Sequence, residues 1–185
     1  MKAQRNGSWI QTYTGIQFWP LDPRPEEIDI RDIAHALSLL CRFNGHCRRF
    51  YSVAEHSVHV SSIVTPEFGL WGLLHDAAEA YLSDIPQPVK QHLTHFHQAE
   101  SQMLLVIAEK FGLPANMPSD VDLADRIMLS TEKLVLMGQE PAPWYGLPTP
   151  LDSSKVVCHD PEEAERVFLI RFEELQKIRK AGVHL

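Results

Sequence analysis

The sequence predicts an all-α fold, one helical bundle with a short β-hairpin at its N-terminus. Three features predict it. Apolar residues return every three or four positions in almost every segment after residue 29. Helix start and stop residues stand at the ends of those stripes: Ser52 with Glu55, Gly112, and Asp160 with Pro161. Only residues 9–19, WIQTYTGIQFW, concentrate β-branched and aromatic residues about a Thr14-Gly15 turn.

That stretch is the hairpin, within an N-terminal arm of residues 1–28, and the Pro-rich linker DPRPEE follows it. A first helix carries Ile30, Ile33, Ala34, Leu37 and Leu40 at helical spacing and should end near the Asn44-Gly45 turn. Ser52 as N-cap, with Glu55 reaching back to it, forms a capping box for a second helix to about Val64. A third opens at Thr65-Pro66 and is expected to run unbroken to about Leu82, with Pro86 and Pro88 preventing its continuation. A fourth spans about His95 to Phe111 and closes on Gly112, and a fifth runs from an N-cap at Ser119 to about Met137. Residues 138–160 hold Pro141, Pro143, Pro148 and Pro150, too many for a regular element, and so form a long loop. The last helix opens on Asp160-Pro161, with Ala164, Phe168, Phe172 and Leu175 as its stripe. With no repeat, heptad pattern or composition shift, the 185 residues read as one domain.

Composition narrows the function classes. With 44% apolar and 22% charged residues the balance is that of a soluble globular protein. A net charge of -7 excludes long-range attraction to nucleic acid polymers and to anionic membranes, while leaving room for small anions at local basic patches. No run of 18 apolar residues occurs, and MKAQRNGSWIQTYTG lacks the apolar core of a signal peptide, so a soluble cytoplasmic protein is expected. Cys41, Cys47 and Cys158 form no C-x-x-C, which fits a reducing compartment, and Cys41, His46 and Cys47 match no zinc spacing.

Residues 73–90, LLHDAAEAYLSDIPQPVK, place His75, Asp76 and Glu79 in an otherwise apolar helix. A His-Asp pair alone says little, because His159-Asp160 is another and helix capping explains it. His75-Asp76 has no capping role, and charges in so apolar a setting need a partner or a metal. Helical phase supplies partners. On the second helix His56 shares its stripe with Val53, Val60 and Ile63 and faces inward, whereas His59 lines up with Glu55 and Ser62 and faces away. On the fifth, Asp125 shares a stripe with Val121 and Met128, whereas Asp122 pairs with Arg126 at the surface. Two imidazoles and two carboxylates without thiolate suit a divalent ion of the Mn, Fe, Co, Ni or Zn group, with coordination positions left over.

The order His56, His75-Asp76, Asp125, together with HALSLLCRFNGHCRRFYSVAEH at 35–56, VAEHSVHV at 53–60 and HDAAEAYLSDIPQPVK at 75–90, resembles the HD-domain metal-dependent phosphohydrolases. The likeness covers roughly residues 30–137 and is to the branch of deoxyribonucleoside 5'-monophosphatases and phage dATP triphosphohydrolases. It implies His56, His75, Asp76 and Asp125 as metal ligands, Glu79 as the acid that orients or activates water, and Asp84 as proton donor to the leaving oxygen. It implies Arg42 and Lys90 on the phosphate, and Phe43, where the nucleotidase has tryptophan, beside the sugar. The activity implied is hydrolysis of deoxynucleotides: first a deoxynucleoside triphosphate, dATP, releasing triphosphate, with a monophosphate as the alternative. A non-catalytic nucleotide sensor using the same metal is the alternative of another class. A homo-oligomer is expected, and Arg48 and Arg49 are the further cations near enough for a triphosphate.

Overall fold

The computed structural model of the chain describes residues 5–182. Residues 1–4 of the expected arm lie outside them. The chain is predominantly helical, with a two-stranded antiparallel hairpin of β1 (Ile10–Gln11) and β2 (Gln17–Phe18) in the register Ile10 to Phe18. Phe18 is fully buried and stacks on Tyr81 at 4.3 Å, while the turn is tied down by Asp32, which accepts from the Thr14 N–H (2.7 Å) and hydroxyl (2.9 Å). The helices are α1 (Ile30–Leu39), α2 (Val53–Ile63), α3 (Gly69–Leu74), α4 (Glu79–Leu82), α5 (Gln87–Lys90), α6 (Thr94–Phe111), α7 (Ser119–Leu136) and α8 (Pro161–Lys180). None is long and apolar enough to cross a membrane.

Helix α2 is central, packed against α1, α3, α7 and α8. With α3 it separates two apolar clusters. Val53, Ala54, Leu73 and Leu74 join Phe18, Ile33, Met103, Ile107 and Phe168 on one side, and Val60 and Trp71 join Tyr51, Val121, Met128 and Leu136 on the other. The α2–α3 approach is close because Gly72 has no side chain: a Cβ there would stand 2.9 Å from Ser61 Cα.

Several ends fall as the residues foretell. Ser52 accepts from the Glu55 N–H and Asp160 from the Glu163 N–H, and Gly112 closes α6 at φ 64°. Ala164, Phe168 and Leu175 of α8 are buried, and Phe172 packs partly buried against them.

Others differ, each for a local reason. Helix α1 stops at Leu39 and does not reach Asn44, because Cys41 pairs with Ser52 in an antiparallel bridge (Arg42 N–H to Tyr51 O, 2.9 Å; Val53 N–H to Leu40 O, 3.0 Å). The chain then turns through three left-handed residues, Phe43 (φ 55°), Asn44 (φ 52°) and Gly45 (φ 77°). The third helix is not continuous. After Leu74 its bonds tighten to three-residue spacing (Ala77 N–H to Leu74 O, Glu79 N–H to Asp76 O), and the Gly72 carbonyl is taken up by His75 Nδ1 at 2.9 Å. Its second part, α4, ends at Ser83 (φ 72°), before the prolines, and the one-turn α5 follows Pro86. Ser119 is the first helical residue of α7, with Pro118 at its cap. Glu55 does not complete a capping box. Buried, its carboxylate accepts the N–H groups of Val157, Cys158 and His159 (3.0, 3.0 and 2.7 Å) and so holds the end of the 138–160 loop.

Gly72→Ala should therefore destabilise the protein by about 1–3 kcal/mol, since the added methyl meets backbone and not a movable side chain. A thermal melt checks this, and an unchanged midpoint would mean that the two helices slide apart freely.

Candidate metal centre

The break after α3 brings His75 and Asp76 to bear on one point. In a continuous helix adjacent side chains diverge by about 100°; here His75 Nε2 lies 3.2 Å from Asp76 Oδ2. His56 arrives from α2 with Nε2 3.3 Å from His75 Nε2 and 3.7 Å from Asp76 Oδ2. Asp125 arrives from α7 with Oδ1 3.1 Å from His56 Nε2 and 4.0 Å from His75 Nε2. The ligand atoms of His56, His75 and Asp125 all lie within 4.8 Å of one another, so the buried cluster can hold a metal ion, with the Asp76 oxygen beside it.

Both rings are oriented from behind. His56 Nδ1 meets Glu132 Oε1 at 2.6 Å and His75 Nδ1 meets the Gly72 carbonyl at 2.9 Å. Those acceptors favour a proton on Nδ1 and leave each Nε2 lone pair aimed at the shared point, the arrangement common to metal-binding histidines. Without a metal, a proton on His56 Nε2 takes the cation's place beside Asp125. Burial and Arg42 push the His56 imidazolium down, but Glu132 and Asp125 outweigh them and carry it up to about 9. Burial likewise opposes ionisation of Asp76, Asp125 and Glu132, yet the neighbouring imidazoles, with Arg42 at Asp76 and Glu132, hold all three carboxyls below their ordinary range. The cluster attracts a cation.

Above it opens a cavity of about 550 Å³, whose walls include Arg42, Phe43, Asp84, Lys90 and Trp144, with Asp76, Glu79 and Asp125 toward its floor. Glu79 is 6% exposed, and its Oε2 has no hydrogen-bond partner among the described residues. Burial, Asp76 and Asp84 raise its carboxyl well above the usual range. Asp84, at the turn after α4, is raised by burial against the pull of Arg42. The Arg42 guanidinium spans Asp76 Oδ2 (3.6 Å) and Glu132 Oε2 (3.2 Å), and its Nε is buried without a partner among the described residues. Lys90 reaches the cavity from α5 but is paired with Glu100 at 2.6 Å.

All nine expected site residues thus gather at one place, though the expectation for Arg48 and Arg49 needs correction. Arg48 and Arg49 are not among the residues lining the cavity: the Arg48 guanidinium lies against Gly138, and Arg49 donates to the Val157 carbonyl at 3.1 Å. His59 stands outside the cluster, as its phase foretells, half-buried 3.6 Å from Glu55. Sequence reasoning also missed Glu132, fully buried between His56 and Arg42. Its signal was present, seven residues after Asp125 and on the same stripe. Trp144, in the Pro-rich loop, has no such phase to betray it, yet it lines the cavity while Tyr145 beside it is 88% exposed.

No protein-family model matches the chain. It is 40% identical over 178 residues to the uncharacterized protein YfdR of Escherichia coli K12, covering 95% of this chain and 99% of that one. It is 35% identical over 127 residues to an uncharacterized protein of Rhodobacter capsulatus, covering 63% of this chain and 65% of that one.

His56→Ala and Asp125→Ala should each lose bound metal, whereas His59→Ala and His159→Ala should keep it. Glu132→Gln, which retains an acceptor oxygen but removes the charge, should weaken metal binding by roughly 10–100-fold. Metal titration followed by elemental analysis distinguishes these, and retention of metal by His56→Ala would place the centre elsewhere.

Proposed function

The chain belongs to the family of the Escherichia coli protein YfdR, and for it we propose an HD-domain metal-dependent phosphohydrolase that acts on deoxyribonucleotides. The observation that carries the proposal is the convergence of two oriented imidazoles and two carboxylates at the floor of a cavity that also holds the unpartnered, raised carboxyl of Glu79. A divalent transition ion held by His56, His75, Asp125 and Asp76 would supply Lewis acidity toward a phosphate oxygen and lower the pKa of water.

The chain's own groups do the rest. Arg42, fixed by Asp76 and Glu132, lines the cavity as a cation for phosphate and balances charge that shifts to the leaving oxygen. The charge of a bound cation would favour the ionised form of Glu79, which accepts the proton of the attacking water, and its burial keeps that proton in the site. Asp84, with its raised carboxyl, is placed to return a proton to the leaving oxygen. Phe43 and Trp144 supply apolar walls for sugar and base, and a volume of about 550 Å³ lies within the usual range for small-molecule pockets.

Charge favours the monophosphate over the triphosphate. The cavity's arginine and lysine lining, among the described residues, is Arg42 and Lys90, set against Asp76, Glu79, Asp84 and Asp125. Those two cations and a divalent ion would match the charge of a triphosphate only with every cavity carboxylate neutral, whereas Asp76 and Asp125 are held ionised, and Arg48 and Arg49 stand elsewhere. A purely binding role as a sensor gives no reason to keep a buried, unpartnered Glu79.

Release of phosphate, pyrophosphate and triphosphate should be measured across a nucleotide panel on metal-loaded protein. Phosphate from deoxynucleoside monophosphates is expected. Intact triphosphate from dATP would instead establish the triphosphohydrolase, and binding without any release would establish the sensor. Glu79→Gln should retain metal while turnover falls by roughly 100-fold or more; loss of metal on that change would make Glu79 a ligand.

A further inference from the structure

Cys41 and Cys47 take no part in the chemistry above, yet their Sγ atoms are in contact at 3.4 Å. A disulfide has an S–S distance of about 2.04 Å, so bond formation needs an approach of only about 1.4 Å. The backbone on both sides is pinned. Cys41 is held by its bridge to Ser52, and the residue after Cys47 by the bond from Arg48 N–H to Leu136 O at 2.8 Å. Between them the chain bulges out through the left-handed residues Phe43, Asn44 and Gly45. The two thiols face each other across the neck of that bulge, and Arg42, Phe43, Asn44 and His46 on it form one wall of the cavity. Cys47 Sγ is also 3.7 Å from the Arg42 carbonyl, a contact that ties the thiol to the backbone of the phosphate-facing residue.

We propose that Cys41 and Cys47 are a reversible oxidation site, a dithiol whose closure to a disulfide resets the wall of the cavity that carries Arg42. The oxidant is a small-molecule disulfide. The Cys41 thiolate attacks one of its sulfurs, a mixed disulfide forms, and one thiolate leaves. Cys47 then loses its proton and attacks Cys41 Sγ, the Cys41–Cys47 bond forms, and the second thiolate departs; two electrons pass to the oxidant, which ends as two thiols. Cys41 acts first because burial and the neighbouring thiol push Cys47 up to about 11, keeping it protonated. The new bond draws Cys47 Sγ toward Cys41 and away from the Arg42 carbonyl, narrowing the neck. Ligands of the metal lie on other segments and are untouched. Cys158, a free thiol half-buried beside α8, is the internal control.

The modification follows from the thiols alone, while its effect on phosphate rests on the proposed role of Arg42. The test uses the full chain, reduced and then treated with oxidised glutathione, read by thiol alkylation, intact mass and peptide mapping. Loss of two of the three thiols and of two hydrogens in mass, a 41–47 cross-link, reversal by dithiothreitol, persistence in Cys158→Ser and abolition in Cys47→Ser are expected. Binding of inorganic phosphate to the metal-loaded protein should weaken by about tenfold or more on oxidation, the scale of one charge-assisted bond disturbed, with metal content unchanged. A stable mixed disulfide on Cys41, a cross-link to Cys158, or a Cys41–Cys47 bond that leaves phosphate affinity as it was would overturn the proposal. Absence of phosphate binding in both redox states, with the cross-link formed, would support the oxidation site and overturn the phosphate role of Arg42.

Discussion

Buried charge pairing is the constraint on which the rest depends. Glu132 is fully buried, where an ionised carboxylate is costly without partners. Its partners include His56 Nδ1 at 2.6 Å and the Arg42 guanidinium at 3.2 Å, and these reach in turn to Asp125 and Asp76. One network therefore joins α7, α2, the bulge before α2 and the break after α3. Apolar contact is non-directional and sets no unique angle between helices, whereas hydrogen bonds of these lengths fix both distance and direction. The two apolar clusters bring the segments near, and the charges decide how they meet.

The backbone departs from regular geometry where side chains must be delivered to that meeting point. Four residues other than glycine are left-handed among the described residues, Phe43, Asn44, Ser83 and Cys158, each of a kind that costs of order 1–3 kcal/mol. Phe43 and Asn44 line the cavity and Ser83 precedes Asp84, which does, whereas Cys158 lies at the loop end held by Glu55. The break at His75-Asp76 serves the same end, turning two adjacent side chains toward one point. Surrounding bonds hold these conformations in place: the Cys41–Ser52 bridge and the Arg48–Leu136 bond bracket the bulge, and the Ser83 N–H donates to Glu79 O at 2.8 Å.

The long Pro-rich loop is fastened by the same helices that build the site. Ser130 and Thr131 of α7 hold it at Pro148 and Leu151, and Glu55 of α2 holds its far end with three N–H bonds. Glu55 precedes His56 directly, so the helix that presents His56 to the cluster also secures the loop that carries Trp144 to the cavity wall.

Periodicity and punctuation, read from the sequence alone, determined the helical class, the N-terminal hairpin, the caps at Ser52, Gly112 and Asp160, and the inward phase of His56 and Asp125. Those follow from local rules, the 3.6-residue repeat and the pairing of end groups within a few residues. The same repeat carried Glu132 into the site, although its role appears only when His56 and Arg42 are seen on either side of it. Tertiary structure decided what depends on contacts between distant segments. Helix α1 stops at Leu39 because residue 41 pairs with residue 52. Glu55 abandons its own helix end for backbone more than a hundred residues away, since a buried carboxylate gains more from three N–H donors than from one. Arg48 and Arg49 are as basic as Arg42 in the sequence, and only the course of the bulge sends one guanidinium into the cavity and the other two away from it.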